Sequence, residues 1–415
     1  MHWFTVLFIF LLVAATFVRG WLNQRQITAV RRHRGQVPAA FTDQIELPAH
    51  QKAADYTVAR ARIDRWDTLL DTAVALLLTV GGGIRMIDQA WSAASLAPLW
   101  HGTLVVISTI VLASLVSLPL SVWRTFGIEA RFGFNRTTPG LYVADLAKSL
   151  LLSLLLGGAL VLVVLYLMQQ AGPLWWLYAW IVWVGFTVLM TWAWPTLIAP
   201  LFNTFTPLAD DVLRERTEAL LARCGFSSKG IFVMDGSRRS AHGNAYFTGV
   251  GRNKRIVFFD TLVERLQAPE VEAVLAHELG HFRLHHVRRR LILSLLAGLG
   301  GLALLGMLAR WPDFYGAFGV VPSAHAALLL FMFVLPAFTF FLTPLGTRWS
   351  RKHEFEADEF ASRYADPRRL IDALVKLYRD NATTLTPDRL HSAFYDSHPP
   401  ALVRIARLQQ FAGGT

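Results

Sequence analysis

The sequence predicts a mainly α protein in which a bundle of seven membrane-spanning helices carries a smaller α/β unit outside the bilayer. Three observations predict it. Of 415 residues, 54% are hydrophobic and only 17% are charged, for a mean hydropathy of +0.40. Apolar runs long enough to cross a bilayer recur at 3–22, 68–88, 99–122, 146–168, 173–194, 291–309 and 325–346. Between the fifth and sixth runs, residues 195–290 are instead polar, with helix-like and strand-like patterns.

The first run has no basic residues before its apolar core and no small-x-small cleavage site, so it is expected to stay as a signal anchor. Asp71, Arg85 and Asp88 interrupt the second run, the least regular of the seven. Charge then sets the orientation. Arg25, Arg31, Arg32, Arg34, Lys52, Arg60, Arg62 and Arg65 follow the first run, and Arg124, Arg131 and Arg136 follow the third. The connections near 89–98 and 169–172 carry no Lys or Arg. That alternation places the N-terminus outside and puts 195–290 and 347–415 together in the cytosol. The net charge of +11 is thus spent on topology, and no nucleic-acid partner is expected. Trp175 and Trp176 at one end of the fifth run, with Trp192 and Trp194 at the other, suit the two interfaces. Cys224 is the only cysteine, which excludes an intrachain disulfide and suits a reducing compartment.

In the polar stretch, 208–223 predicts an amphipathic helix, and Ile231–Met234, Ala245–Val250 and Arg255–Phe259 predict short strands between Gly and Asn turns. A strand here either pairs only within its own sheet or offers a free edge to an extended peptide. Pro269, Glu270 and Glu272 then open a helix with Val271, Val274, Leu275 and Leu279 on its apolar face. That helix carries His277-Glu278-Leu279-Gly280-His281. Residues four apart share a helix face, so His277 and His281 can present two imidazoles to one Zn²⁺, with Glu278 about 100° round the axis. Zinc lowers the pKa of a bound water, and Glu278 can take its proton as general base.

His285 continues the row of His277 and His281, but eight helical residues span about 12 Å and Zn–N bonds are about 2.1 Å, so the third ligand must come from elsewhere. His285 and His286, with Arg288, Arg289 and Arg290, read as a basic cluster at the membrane surface. After the last run, Glu354 and Asp358 share a helix face, while Glu356 points away. One of the two carboxylates can complete the metal site and the other can orient a ligating histidine or exchange protons. Near the C-terminus, His398-Pro399-Pro400 opens a helix bearing Arg404, and both His398 and Arg404 are potential donors to an oxyanion.

Taken together, these motifs resemble the type I CAAX prenyl endopeptidases, membrane zinc proteases that remove the C-terminal tripeptide after a prenylated cysteine. The resemblance rests on residues 128–135, Ile198-Ala199-Pro200-Leu201-Phe202, 240–246, 253–257, the zinc motif, 354–358 and His398-Pro399-Pro400. It implies seven spans enclosing a hydrated chamber, with a zincin-type α/β metalloprotease domain facing the cytosol. It also implies His277, His281 and Glu354 as ligands of one Zn²⁺, Glu278 as base and Asp358 as proton donor. His398 and Arg404 would stand near the oxyanion, and His242, Asn244 and Ala245 would lie along the substrate-binding strand. Arg85, Asp88, Asp145 and Lys148 would line the chamber, since charge facing lipid is costly.

The expected organisation is a membrane domain at 1–194, the zinc-protease domain at 195–290, two further spans at 291–346 and, at 347–415, the rest of the protease domain with the third ligand. The Arg- and Ala-rich composition and short loops suggest a bacterial inner membrane. Expected partners are the bilayer and a peptide or protein substrate, lipidated or membrane-associated. The competing readings are a broad-specificity quality-control protease and a zinc-binding membrane transporter. A transporter would have no need of Glu278 between the histidines.

Overall fold

A computed structural model describes residues 1–226, 230–248 and 255–413. Two long helices, α1 (Trp3–Arg32) and α2 (Leu47–Leu78), pack along each other. The second apolar run is not one straight span. The helix stops at Leu78, the chain turns through Thr79–Gly82, and α3 (Gly83–Ser92) leaves at 53°. Glycine permits the break: Gly82 sits at φ +78, and a Cβ on Gly81 would meet the Leu77 carbonyl oxygen at 2.7 Å. Among the described residues, six helices are therefore long and apolar enough to span a bilayer, or seven when this bent pair counts as one.

Next come α4 (Pro98–Val122), α5 (Pro139–Leu152), α6 (Gly158–Gln170) and α7 (Trp175–Ala193). A π-helical turn at Ser153–Gly157 joins α5 to α6 into one span, Pro139–Gln170. Phe8, Ile84, Val105, Leu165, Leu305, Phe314 and Leu330 form the bundle's core. Asp88 is not left to face lipid: it accepts from His101 at 2.7 Å and His325 at 2.9 Å. Asp145 pairs with Arg239 at 2.8 Å, and Lys148 donates to the Leu201 carbonyl at 2.8 Å.

The α/β unit begins with a strand too short to be read from sequence, β1 (Phe205–Pro207), followed by α8 (Asp211–Arg223), β2 (Ile231–Met234), β3 (Ala245–Thr248) and β4 (Arg255–Phe259). Residues 249–250 of the expected strand, and Asn253 and Lys254, lie outside the described residues. The sheet order is β1-β2-β4-β3, with β2 parallel to β4 and the other pairs antiparallel. Among the described residues this puts β3 at an edge. After α9 (Asp260–Val263), helix α10 (Ala268–Arg283) packs its apolar face into a core with Leu220, Ile256, Phe258, Leu275 and Leu374. Full burial of each such side chain contributes about 1.5–3 kcal/mol.

The remaining helices are α11 (His286–Leu308), α12 (Pro312–Gly316), α13 (Ala324–Thr339), α14 (Thr343–Tyr364), α15 (Pro367–Asp380), α16 (Arg389–Tyr395) and α17 (Ala401–Ala412). Two junctions matter for the site. The motif helix α10 ends at Arg283, His285 takes a left-handed φ of 60, and α11 starts as a new helix. His285 therefore does not extend the row of His277 and His281. The last span runs on through Phe340–Leu342 into α14, so Glu354 and Asp358 ride on its continuation.

Candidate active site

The start of α10 is fixed before its histidines appear. Gln267 and Glu270 form a reciprocal capping box, and Lys376 of α15 reaches buried Glu270 at 2.7 Å. Gly280 then lets α14 approach closely. A Cβ there would lie 3.0 Å from Ala357 Cα and 3.1 Å from Phe360 Cβ. The absent side chain is what allows two helices to share one metal-sized space.

In that space His277 Nε2 and His281 Nε2 are 3.2 Å apart. Glu354 places Oε2 3.5 Å from His277 Nε2 and Oε1 3.2 Å from His281 Nε2. A tetrahedral ion with bonds of about 2.1 Å separates its ligands by about 3.4 Å, so these spacings fit one ion. Two further features ask for a cation. Glu354 Oε2 is buried without a hydrogen-bond donor among the described residues, and the two Nε2 atoms face each other. Burial and Arg404 push the His277 imidazole down, but Asp358 and Glu354 outweigh them and leave it raised to about 9. The pocket favours positive charge at this point. The Asp88 group differs, because its 2.7 and 2.9 Å spacings are ordinary hydrogen bonds tying α3, α4 and α13 together.

Glu278 lines a small cavity of about 130 Å³ together with His277, His398, Arg404, Asn244 and Ala245. Burial pushes its carboxyl pKa up, towards the range of a useful base. His398 stands on the open side, with Nε2 3.5 Å from Glu354 Oε2. Asp358 is buried and fully engaged: Oδ1 accepts from His277 Nδ1 at 2.8 Å and Arg404 Nη2 at 2.7 Å, and Oδ2 accepts from Arg404 Nε at 2.8 Å. Of the alternatives left open by spacing, this geometry is that of a group orienting a histidine. Arg404 is itself buried, and although burial opposes its charge, Asp358 holds its pKa above the ordinary value.

The structure brings nine of the ten predicted site residues together. His242 is set apart: its ring stacks on Phe134 at 4.3 Å and faces Asn381, while the cavity wall is formed by Gly243, Asn244 and Ala245 after it. Sequence reasoning missed Asn381, whose amide bonds both the N–H and the carbonyl of Gly243 at 3.1 and 3.4 Å, fastening the entry to β3 onto α15. It also missed Tyr378, half-buried beside Arg404, whose hydroxyl pKa burial raises. The amphipathic period of α15 marks Tyr378 only as core.

Fold and site together define a membrane-embedded metallopeptidase. Residues 26–204 match the family model described as CAAX prenyl protease N-terminal, five membrane helices, and residues 207–412 match peptidase family M48. The chain belongs to the CAAX prenyl protease 1 family of M48 peptidases. It is 37% identical to a CAAX prenyl protease 1 homolog of Oryza sativa subsp. japonica, over 72% of this chain and 70% of that one. An Arabidopsis thaliana homolog is 32% identical over 93% of this chain and 92% of its own. The crystal structure of S. mikatae Ste24p superposes with a TM-score of 0.90 at 29% identity, covering 97% of this chain and 98% of that one.

Proposed function

We propose that the chain is a zinc endopeptidase that cleaves membrane-associated, prenylated C-terminal segments, with His277, His281 and Glu354 holding the metal. The observation that carries this reading is the set of 3.2, 3.2 and 3.5 Å spacings among two imidazole nitrogens and the two oxygens of one carboxylate, of which the buried Oε2 has no hydrogen-bond donor among the described residues. A zinc ion held there supplies Lewis acidity and draws the pKa of a water towards neutrality. Glu278 removes the proton of the attacking water and returns it to the leaving amine. Asp358 acts as a positioning residue, because its bond to His277 Nδ1 leaves the Nε2 lone pair free for the metal. Arg404 keeps Asp358 ionised, and His398 donates to the developing oxyanion from the open side.

The substrate strand adds to the free edge of β3. The Phe259 N–H donates to the Asn244 carbonyl, and bonded pairs alternate along an antiparallel ladder. Tyr246 therefore bonds inward to β4, while the backbone groups of Ala245 and Phe247 face the open edge. Leu262, Val274 and Leu374 form the apolar wall for a substrate side chain. The relatives' names supply the prenylated substrate class, and the basic loops support a cytosolic active site. The bacterial inner membrane remains an inference from composition, since the similar proteins named above are eukaryotic.

The test is cleavage by the purified, zinc-loaded chain in lipid of three substrates: a prenylated C-terminal peptide, the same peptide without its lipid, and an unfolded membrane protein. Preference for the prenylated peptide supports the reading. Equal internal cleavage of the unfolded protein replaces it with broad-specificity quality control.

A further inference from the structure

Asp358 orients one metal histidine, and on the His281 side a different arrangement takes its place. His281 Nδ1 lies 3.1 Å from His286 Nδ1, and His286 Nε2 lies 2.9 Å from Glu356 Oε2. His286 is 1% exposed, so it does not belong to a surface cluster, and Glu356 does not point into solvent alone. The His286 ring stacks on buried His353 at 4.0 Å with 6° between planes, and His353 rests against Trp349 at 4.4 Å. Parallel rings aim their lone pairs side by side, so these residues do not converge on a second ion.

Only one placement of protons satisfies the row. Ligation through Nε2 of His281 leaves its proton on Nδ1, which donates to His286 Nδ1; the His286 proton then sits on Nε2 and donates to Glu356. We propose that His286 and Glu356 are positioning residues that fix the ring orientation and tautomer of His281 for the metal. This rests on the zinc-peptidase reading above. The arrangement also ties metal geometry to the membrane, because His286 opens span α11 and Glu356 lies on α14, the continuation of the last span. A shift between those two helices would turn the His281 ring.

The experiment measures zinc affinity by chelator competition, the visible absorption of the cobalt-substituted protein, and kcat and KM, on the full chain in lipid. For His286→Ala, zinc affinity should fall about 10- to 100-fold. The cobalt bands should shift, and kcat should fall with KM little changed, since neither residue lines the substrate cavity. His286→Asn, whose amide can both accept and donate, should recover part of the loss, and Glu356→Gln should weaken zinc less than His286→Ala. Wild-type zinc affinity and cobalt bands in a folded His286→Ala would overturn the proposal. If that variant does not fold, the same result in Glu356→Gln, which alters a partly exposed side chain, would overturn it instead. A wild-type chain that binds no zinc would defeat the peptidase reading itself, which is a separate result.

Discussion

Replacing Gly280 by alanine should separate metal binding from stability. The new Cβ would stand 3.0 Å from Ala357 Cα, 3.1 Å from its carbonyl oxygen and 3.1 Å from Phe360 Cβ. Comfortable carbon contacts are about 3.5–4.0 Å, so α14 must retreat by roughly 0.5–1.0 Å. Ala357 sits between Glu354 and Asp358 in the chain, and both carboxylates move with it. Overpacking costs about 1–3 kcal/mol, and alanine returns about 1 kcal/mol of helix propensity, leaving a net loss of about 0–2 kcal/mol. Function should suffer more, because metal bonds tolerate about 0.2 Å and a misplacement near 1 Å can cost about 100-fold in rate. Thermal unfolding of the metal-free protein, chelator competition for zinc and kcat on a fluorogenic peptide measure the three quantities. An alanine variant with wild-type zinc affinity and kcat would refute the claim that this close approach builds the site.

Other expectations follow from the same geometry. Arg404→Ala should lower stability by about 3–5 kcal/mol, because it strands the buried Asp358 charge, and an unchanged melting temperature would contradict that. Ala245→Pro removes an outward N–H at an edge where proline is tolerated; that N–H donates to Asn244 Oδ1 at 2.8 Å until a substrate strand takes it, so KM should rise up to about tenfold and the lost local bond should cost about 0.5–1.5 kcal/mol of stability; an unchanged KM would place the substrate elsewhere. Zinc at about 100 times its dissociation constant should stabilise the chelated protein by about 2.7 kcal/mol, read as a rise in melting temperature, whereas magnesium should not.

What the sequence made legible was local or periodic. The i, i+4 spacing of His277 and His281 needs only a helix, and the spans need only length and apolar composition. Spacing alone leaves two outcomes for β3, and the order of the four strands among the described residues puts it at an edge. Features that depend on distant partners were hidden. Asp358 reads as an orienting group because Arg404, far along the chain, occupies it from the other side. Glu356 points away from the face of Glu354 and Asp358, and its partner is hidden in the sequence because the left-handed residue His285 swings His286 back under His281 and against Glu356. The glycines at 81–83 do mark the break in the second span, but the apolar run passes over them. β1, at three residues, carries too little pattern to detect.

The central claim is that one zinc held by His277, His281 and Glu354 works with Glu278 to cleave peptides. Its most direct test measures zinc content and turnover together in wild type, Glu278→Gln and Glu354→Ala. Wild type should carry a single zinc per chain and cleave. Glu278→Gln should keep the zinc and lose about 10²–10⁴-fold in kcat, and Glu354→Ala should lose both metal and activity. A Glu278→Gln protein that cleaves at the wild-type rate, or a Glu354→Ala protein that keeps its zinc, would contradict the account.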